Sequence, residues 1–147
     1  MLTSMVPDAA LVGNTLGPKT LDELRICYVL AENERYGGLS PHVLPFIDIA
    51  DLGNLMGHCK LAIPSIFKYE CNHKTKADEV FFDGPLELMA AIKSIGENSS
   101  LVGSRKGAYK DLLTAVLALY SNLFSVKIEG SQKIYSTIEL VNFVGWK

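Results

Sequence analysis

Ala9-Ala10-Leu11-Val12-Gly13-Asn14-Thr15-Leu16, followed from Thr20 by Leu-Asp-Glu-Leu-Arg-Ile-Cys-Tyr-Val-Leu-Ala31, is the stretch that decides the fold class. The first segment is a short apolar run bounded by Pro7-Asp8 and Gly17-Pro18, the pattern of a strand buried on both faces. The second changes period. Thr20 with Glu23 forms the sequence of a capping box, and Leu21, Leu24, Cys27, Tyr28 and Ala31 make one apolar stripe that ends before Gly37-Gly38. A strand running directly into an amphipathic helix is the repeating step of an α/β protein.

The same alternation continues along the chain. Residues 39–47 hold Pro41 and Pro45, each of which holds its predecessor extended, so an ordered loop carrying Ser40 and His42 is expected. Asp48 offers an N-cap to a short helix with Ile49, Leu52, Leu55 and Met56 inward, stopped near Gly57. Leu61 to Tyr69 reads as a strand in which Pro64 marks an edge or a bulge, and Tyr69 to Ala77 reads as a polar loop. After Glu79-Val80-Phe81-Phe82, Asp83 caps a helix with Pro85 in its first turn and Leu88, Met89, Ile92 and Ile95 along one face, ended by Gly96. A Gly/Ser loop from Glu97 to Gly107 precedes an apolar helix from about Ala108 to Phe124. A long strand from Ile134 to Trp146 closes the sequence. Three strands in one mixed sheet with flanking helices are predicted, which is thin for a doubly wound domain.

Composition narrows the function classes. The 147 residues are 48% apolar and 20% charged, so one packed domain is expected rather than disorder. A net charge of -2 gives no general attraction for a phosphate backbone, so nucleic acid is not an expected partner. No apolar run reaches the roughly 18 residues of a membrane-spanning helix. The three cysteines, an odd number, suit reduced thiols. Met1 to Thr20 has Asp8 and no basic residue before Lys19, matching neither a secretory signal nor a mitochondrial presequence.

Residues 30–46, Leu-Ala-Glu-Asn-Glu-Arg-Tyr-Gly-Gly-Leu-Ser-Pro-His-Val-Leu-Pro-Phe, resemble the methyltransferase-like family of mitochondrial complex I assembly factors and, more distantly, the malonyl-carrier-protein O-methyltransferases. Thr20 to Arg25, Leu86 to Met89, Ile95 to Asn98 and Val144 to Lys147 match in the same order, as do Pro7 and Asp8. The resemblance implies a partial class I S-adenosylmethionine methyltransferase (Rossmann-like) fold in which residues 1–147 supply the last three strands of a seven-stranded mixed sheet. The Gly-rich turn and the acidic residue that bind the cofactor in that family have no counterpart here; Gly13 and Gly17 belong to a strand and its exit. It further implies S-adenosylmethionine as the family cofactor, held poorly by this chain alone, an arginine-modifying or methyl-transferring activity, a complex I subunit as protein substrate, and the matrix side of the inner mitochondrial membrane.

Candidate site residues follow from the fold rule that ligands sit beyond the carboxyl ends of strands. Thr15, Leu16 and Gly17 at the first strand exit, and Ser40 and His42 in the proline-framed loop, would face the acceptor, with His42 a base or an orienting group. A structural hydrogen-bonding role for His42 is the competing reading. Arg35 beside Glu34 at a helix end, and Glu97 and Asn98 near Arg105 in the later loop, complete the substrate-binding candidates; solvated pairing and helix capping are their plainer roles. His58-Cys59 and Cys71-Asn-His73 fit no common zinc spacing, and Gly103 to Gly107 lacks P-loop spacing. Two functional readings remain open: a methyltransferase-like enzyme segment, or a non-catalytic fragment that docks to a partner. With its neighbouring strands missing, the first strand would leave an apolar edge open to self-association.

Overall fold

The computed structural model describes residues 5–38, 40–43, 45–69, 79–96, 110–128 and 130–147. These residues form six strands and four helices: β1 (Ala10–Leu16), α1 (Asp22–Tyr36), α2 (Ile49–His58), β2 (Ala62–Tyr69), β3 (Glu79–Phe82), α3 (Pro85–Ser94), α4 (Lys110–Leu123), β4 (Ser125–Ile128), β5 (Ser131–Thr137) and β6 (Leu140–Trp146). The α/β class is as expected. The chain divides into two compact units: residues 1–20, 45–78 and 138–147, and residues 21–44 and 79–137.

Unit 1 is a three-stranded sheet in the order β1-β6-β2. Both hydrogen-bonded pairs are antiparallel, with Ala10 opposite Trp146 and Leu16 opposite Leu140 on one side of β6, and Ser65 opposite Val144 and Tyr69 opposite Leu140 on the other. The first two predicted strands and the last seven-residue part of the third thus share a sheet, antiparallel throughout. Pro64 sits where the register of β2 shifts, between Ala62 and Ser65, on an edge strand, which is where a residue without an amide hydrogen is tolerated. Leu52 and Met56 of α2 pack with Leu61 and Val141 into a buried core, flanked by Leu11, Ile66 and Phe143. Asp48 caps α2 by accepting from the Ile49 amide at 2.8 Å. Leu55 is not inward: it lies about a quarter-turn from the Leu52/Met56 stripe and is more than half exposed.

β1 is not buried on both faces. Its side chains alternate between partly buried and exposed, and Val12 is 71% exposed. Gly13 lies on the inward face, where an added Cβ would come within 2.5 Å of the Phe143 ring. The run of apolar residues therefore hid a period of two, because Val12 on the outward face is as apolar as Leu11 on the inward one.

Unit 2 packs α1 with α4, and α3 with α4, beside a second antiparallel sheet ordered β3-β5-β4. Its core holds Leu24, Cys27 and Ala31 of α1, Leu88 and Ile92 of α3, Leu112, Val116 and Tyr120 of α4, and Ile134 of β5. Ile95, expected inward, and Leu123 are exposed at the helix ends. The Tyr120 hydroxyl donates to the Tyr135 carbonyl at 2.9 Å, and the Phe124 ring tilts against Tyr120 and meets Tyr135 edge-on.

Two sequence expectations fail for identifiable reasons. The long strand from Ile134 to Trp146 is divided between the two sheets at Ile138-Glu139. Within unit 1 the Glu139 carbonyl accepts from the Gly17 amide and the Thr20 hydroxyl, and its carboxylate accepts from the Lys19 amide. Within unit 2 the Thr137 carbonyl accepts from the Leu21 amide, and its amide and hydroxyl both donate to the Glu23 carboxylate. Backbone groups that a continuous ladder would have used are thereby taken. The capping box fails with it, since Thr20 and Glu23 are committed to these partners and Leu21, in a left-handed conformation, occupies the N-cap with no side-chain cap. Asp83 likewise gives way to Gly84 as the N-cap of α3, and the Glu87 carboxylate instead accepts from the Asp83 amide. β4 went unread because Ser125–Ile128 is short; its hairpin to β5 turns at Gly130, whose φ of 84° suits glycine.

Met56→Ala should lower stability by about 2–5 kcal/mol, the range for truncating a buried long apolar side chain. Urea unfolding monitored by circular dichroism checks this, and Leu55→Ala should shift the midpoint far less.

Candidate functional site

The centre of the site is a glutamate that the sequence did not single out. Glu32 lies on α1 one turn beyond Tyr28, so both side chains project from the same face of the helix. Its carboxylate is buried and holds the following loop at two points. Oε2 accepts from the Ser40 amide at 2.5 Å, and Oε1 pairs with His42 Nε2 at 2.8 Å. The His42 ring stacks on Tyr28 with centroids 4.4 Å apart and planes 18° from parallel. The His42 and Glu32 side chains retain only 6% and 8% of their exposure.

A buried carboxylate is stable only when its lone pairs are satisfied, and here a helix residue and two loop residues meet that need. Burial pushes the Glu32 carboxyl upward, but the His42 and Ser40 hydrogen bonds and the histidine's charge outweigh it and hold the group below its ordinary range. Burial, with the Glu32 charge adding, raises the Tyr28 phenol, which keeps it neutral. Pro41, between the two anchored residues, fixes its own φ and the extended form of Ser40. The loop is therefore set by one carboxylate and two covalent restraints.

This arrangement joins Ser40 and His42, two of the expected site residues, through a third residue, and it supplies the structural role for His42 as well as the geometry of an orienting carboxylate–imidazole pair. Chemically such a pair holds the imidazole in one orientation. Arg35 belongs to a separate, exposed cluster. Its guanidinium is 3.8 Å from Asp111 of α4, and the Tyr36 hydroxyl donates to the same carboxylate at 3.0 Å. The Tyr36 hydrogen bond is the main cause that lowers the Asp111 carboxyl, with Arg35 assisting. Glu97, Asn98 and Arg105, and with them Cys71, His73 and Gly103 to Gly107, lie outside the described residues. Among the described residues no group of three or more potential ligands could hold a metal ion.

The signal for Glu32 was present as an acidic residue on the buried side of a helix stripe, four residues after Tyr28 and ten before His42. Only the turn of the chain at Gly37, with φ 60°, brings the loop back along α1 to reveal the pairing. Cys27, also buried on α1, is no nucleophile: burial, with the Glu23 charge adding, raises its thiol to about 11.

The described residues do not build a site for S-adenosylmethionine. In unit 1, Gly13 is spent on the Phe143 ring and Gly17 on the Glu139 carboxylate, so neither opens a glycine-rich cradle.

No family model matches the chain. Among curated proteins, the mitochondrial arginine-hydroxylase NDUFAF5 of Rattus norvegicus is 34% identical over 141 residues, 96% of this chain and 38% of its own length. The chain is homologous to part of that protein. The protein of the same name from Dictyostelium discoideum is 31% identical over 140 residues, covering 95% of this chain and 30% of its own. A Rickettsia prowazekii protein provisionally named a methyltransferase is 32% identical over 128 residues, 86% of this chain and 53% of its own. The chain thus spans between about a third and two fifths of the mitochondrial relatives it matches. The resemblance read from residues 30–46 is upheld across nearly the whole sequence.

Glu32→Gln should lower stability by about 1–3 kcal/mol at neutral pH, because an acceptor from a buried, charge-assisted cluster is lost. Since the folded-state carboxyl is depressed, its stabilisation is full above the unfolded value near 4.5 and is lost as pH falls through the lower folded value. The wild-type and Glu32→Gln unfolding free energies, measured by urea titration across acidic pH, should therefore converge below that point.

Proposed function

We propose that this chain is the carboxy-terminal part of a methyltransferase-like assembly factor for mitochondrial respiratory complex I, acting on an arginine of a complex I subunit on the matrix side of the inner membrane. The observation that carries the reading is 34% identity across 96% of the chain to a mitochondrial arginine-hydroxylase. The three-stranded sheet β1-β6-β2 supports it: these would be three strands of the seven-stranded mixed sheet that the resemblance implies.

In this reading the preceding four strands belong to other residues of a longer polypeptide, and S-adenosylmethionine is held by those residues. The close packing of the two β1-region glycines supports that division. The described residues contribute the substrate side. Ser40 and His42, set by Glu32, shape the acceptor loop, while Arg35 with Asp111 and Tyr36 offers polar groups to a protein surface. Among the described residues no helix is long and apolar enough to cross a membrane.

Disrupting the gene should reduce assembled complex I, seen on native gels and by NADH:ubiquinone oxidoreductase activity, with recovery on re-expression of the wild-type protein. Re-expressed His42→Ala should restore it only in part. Normal complex I after complete loss of the gene product would remove the reading. Titrating S-adenosylmethionine into the 147-residue chain should leave its melting temperature unchanged, whereas a saturable rise would show that the cofactor site lies within these residues.

A further inference from the structure

The sequence leaves His42 two roles, a base facing the acceptor or a structural hydrogen-bonder, and the geometry of unit 2 separates them. A general base must bring a nitrogen within hydrogen-bond distance of the proton that it takes. His42 has little of itself free for that. Its Nε2 is engaged with Glu32 Oε1 at 2.8 Å, its ring lies against Tyr28 at a centroid distance of 4.4 Å, and only 6% of its side chain is exposed. Val43 beside it is buried as well, whereas Pro41, between the two residues that Glu32 holds, is exposed. What this loop presents to solvent is therefore set by side chains that solvent hardly reaches.

Glu32 is the other half of the arrangement. A buried, hydrogen-bonded carboxylate is often no more stabilising than an apolar side chain of the same size. It differs from such a side chain in what it specifies. Oε2 takes the Ser40 amide and Oε1 the His42 ring, so a loop that shifts leaves a buried acid short of partners. Although burial raises it, the hydrogen bonds from His42 and Ser40 hold the Glu32 carboxyl below its ordinary range, so the anchor is ionised at neutral pH.

We infer that Glu32 and His42 are positioning residues of the acceptor loop: His42 acts through its tie to Glu32 and its stack on Tyr28, not by taking a proton, and the pair holds Ser40 and Pro41 in the form that meets the protein substrate. This role rests on the function proposed above, which supplies the substrate. The anchoring itself belongs to α1 and the loop alone and is read separately.

In cells with the gene disrupted, variants of the protein are re-expressed at matched abundance and complex I is measured on native gels. His42→Ala and Glu32→Ala should each leave several-fold less complex I than the wild type. His42→Gln keeps a side-chain donor for Glu32 but has no basic nitrogen, and it should recover most of what His42→Ala loses. Hydrogen exchange on the 147-residue chain should find the Ser40 amide protected in the wild type and in His42→Gln, and released in Glu32→Ala. Should Glu32→Ala not fold, Glu32→Gln, which keeps the volume and one acceptor oxygen, takes its place and should show a smaller loss in both readouts. Folded His42→Gln as deficient as His42→Ala would make the imidazole a base and overturn the inference. So would full complex I with a Glu32 variant whose Ser40 amide is released, or a Ser40 amide unprotected in the wild type. Failure of the wild type itself to restore complex I would remove the proposed function, and this role with it, whatever the exchange pattern.

Discussion

The structure of unit 1 depends on β6 lying between β1 and β2. Residues 140–146 supply the only ladder partner that either neighbour has among the described residues, and Ala10 meets Trp146 across nearly the full length of the sequence. Closing so long a loop carries an entropy cost that grows slowly with length but is met only when the last strand arrives. Tight packing at Gly13 against Phe143, and at Gly145 against Met56 and Leu61, then fixes the register, since a side chain at either glycine would collide with those neighbours. A slip of one residue would also carry Leu11, Val141 and Phe143 out of the core that Leu52 and Met56 complete.

Everything in unit 2 lies in sequence between β1 and β6, and its own contacts are more local, including the β4-β5 hairpin. The chain passes between units at four places, and at two of them, residues 20–21 and 137–138, a carboxylate anchors it on each side. Glu139 serves the backbone of residues 17–20, and Glu23 serves Thr137. Buried acids that accept from backbone amides are costly to desolvate and costly to leave unpaired, so each specifies one path for the chain. The same logic recurs at Glu32, where a third carboxylate sets the course of the loop at Ser40 and His42. Three acids with backbone partners, rather than ion pairs on the surface, define where this polypeptide turns.

That recurrence bears on the functional reading. The stretch with the most specific resemblance, residues 30–46, is also the one in which a buried acid, a stacked histidine and a proline hold a loop in a single conformation. Under the proposed function this loop would meet its substrate with side chains fixed in advance by the Glu32–His42–Tyr28 cluster. The exposed Arg35, Tyr36 and Asp111 offer a different chemistry, polar and solvent-screened, better suited to a protein surface than to a reacting atom.

The sequence by itself determined the helices, their buried stripes, the α/β class and the relationship to the arginine-hydroxylases, because helical periodicity and matched residue blocks are local properties. Leu24, Cys27 and Ala31, or Leu112, Val116 and Tyr120, declare their face by spacing alone. Only the tertiary structure decided that β1 has an open face, that residues 134–146 divide between two sheets, and that Glu32, not Arg35, is the partner of Ser40 and His42. Those outcomes turn on which distant group satisfies a given backbone amide or buried carboxylate, and neither hydrophobic period nor capping preference records that choice.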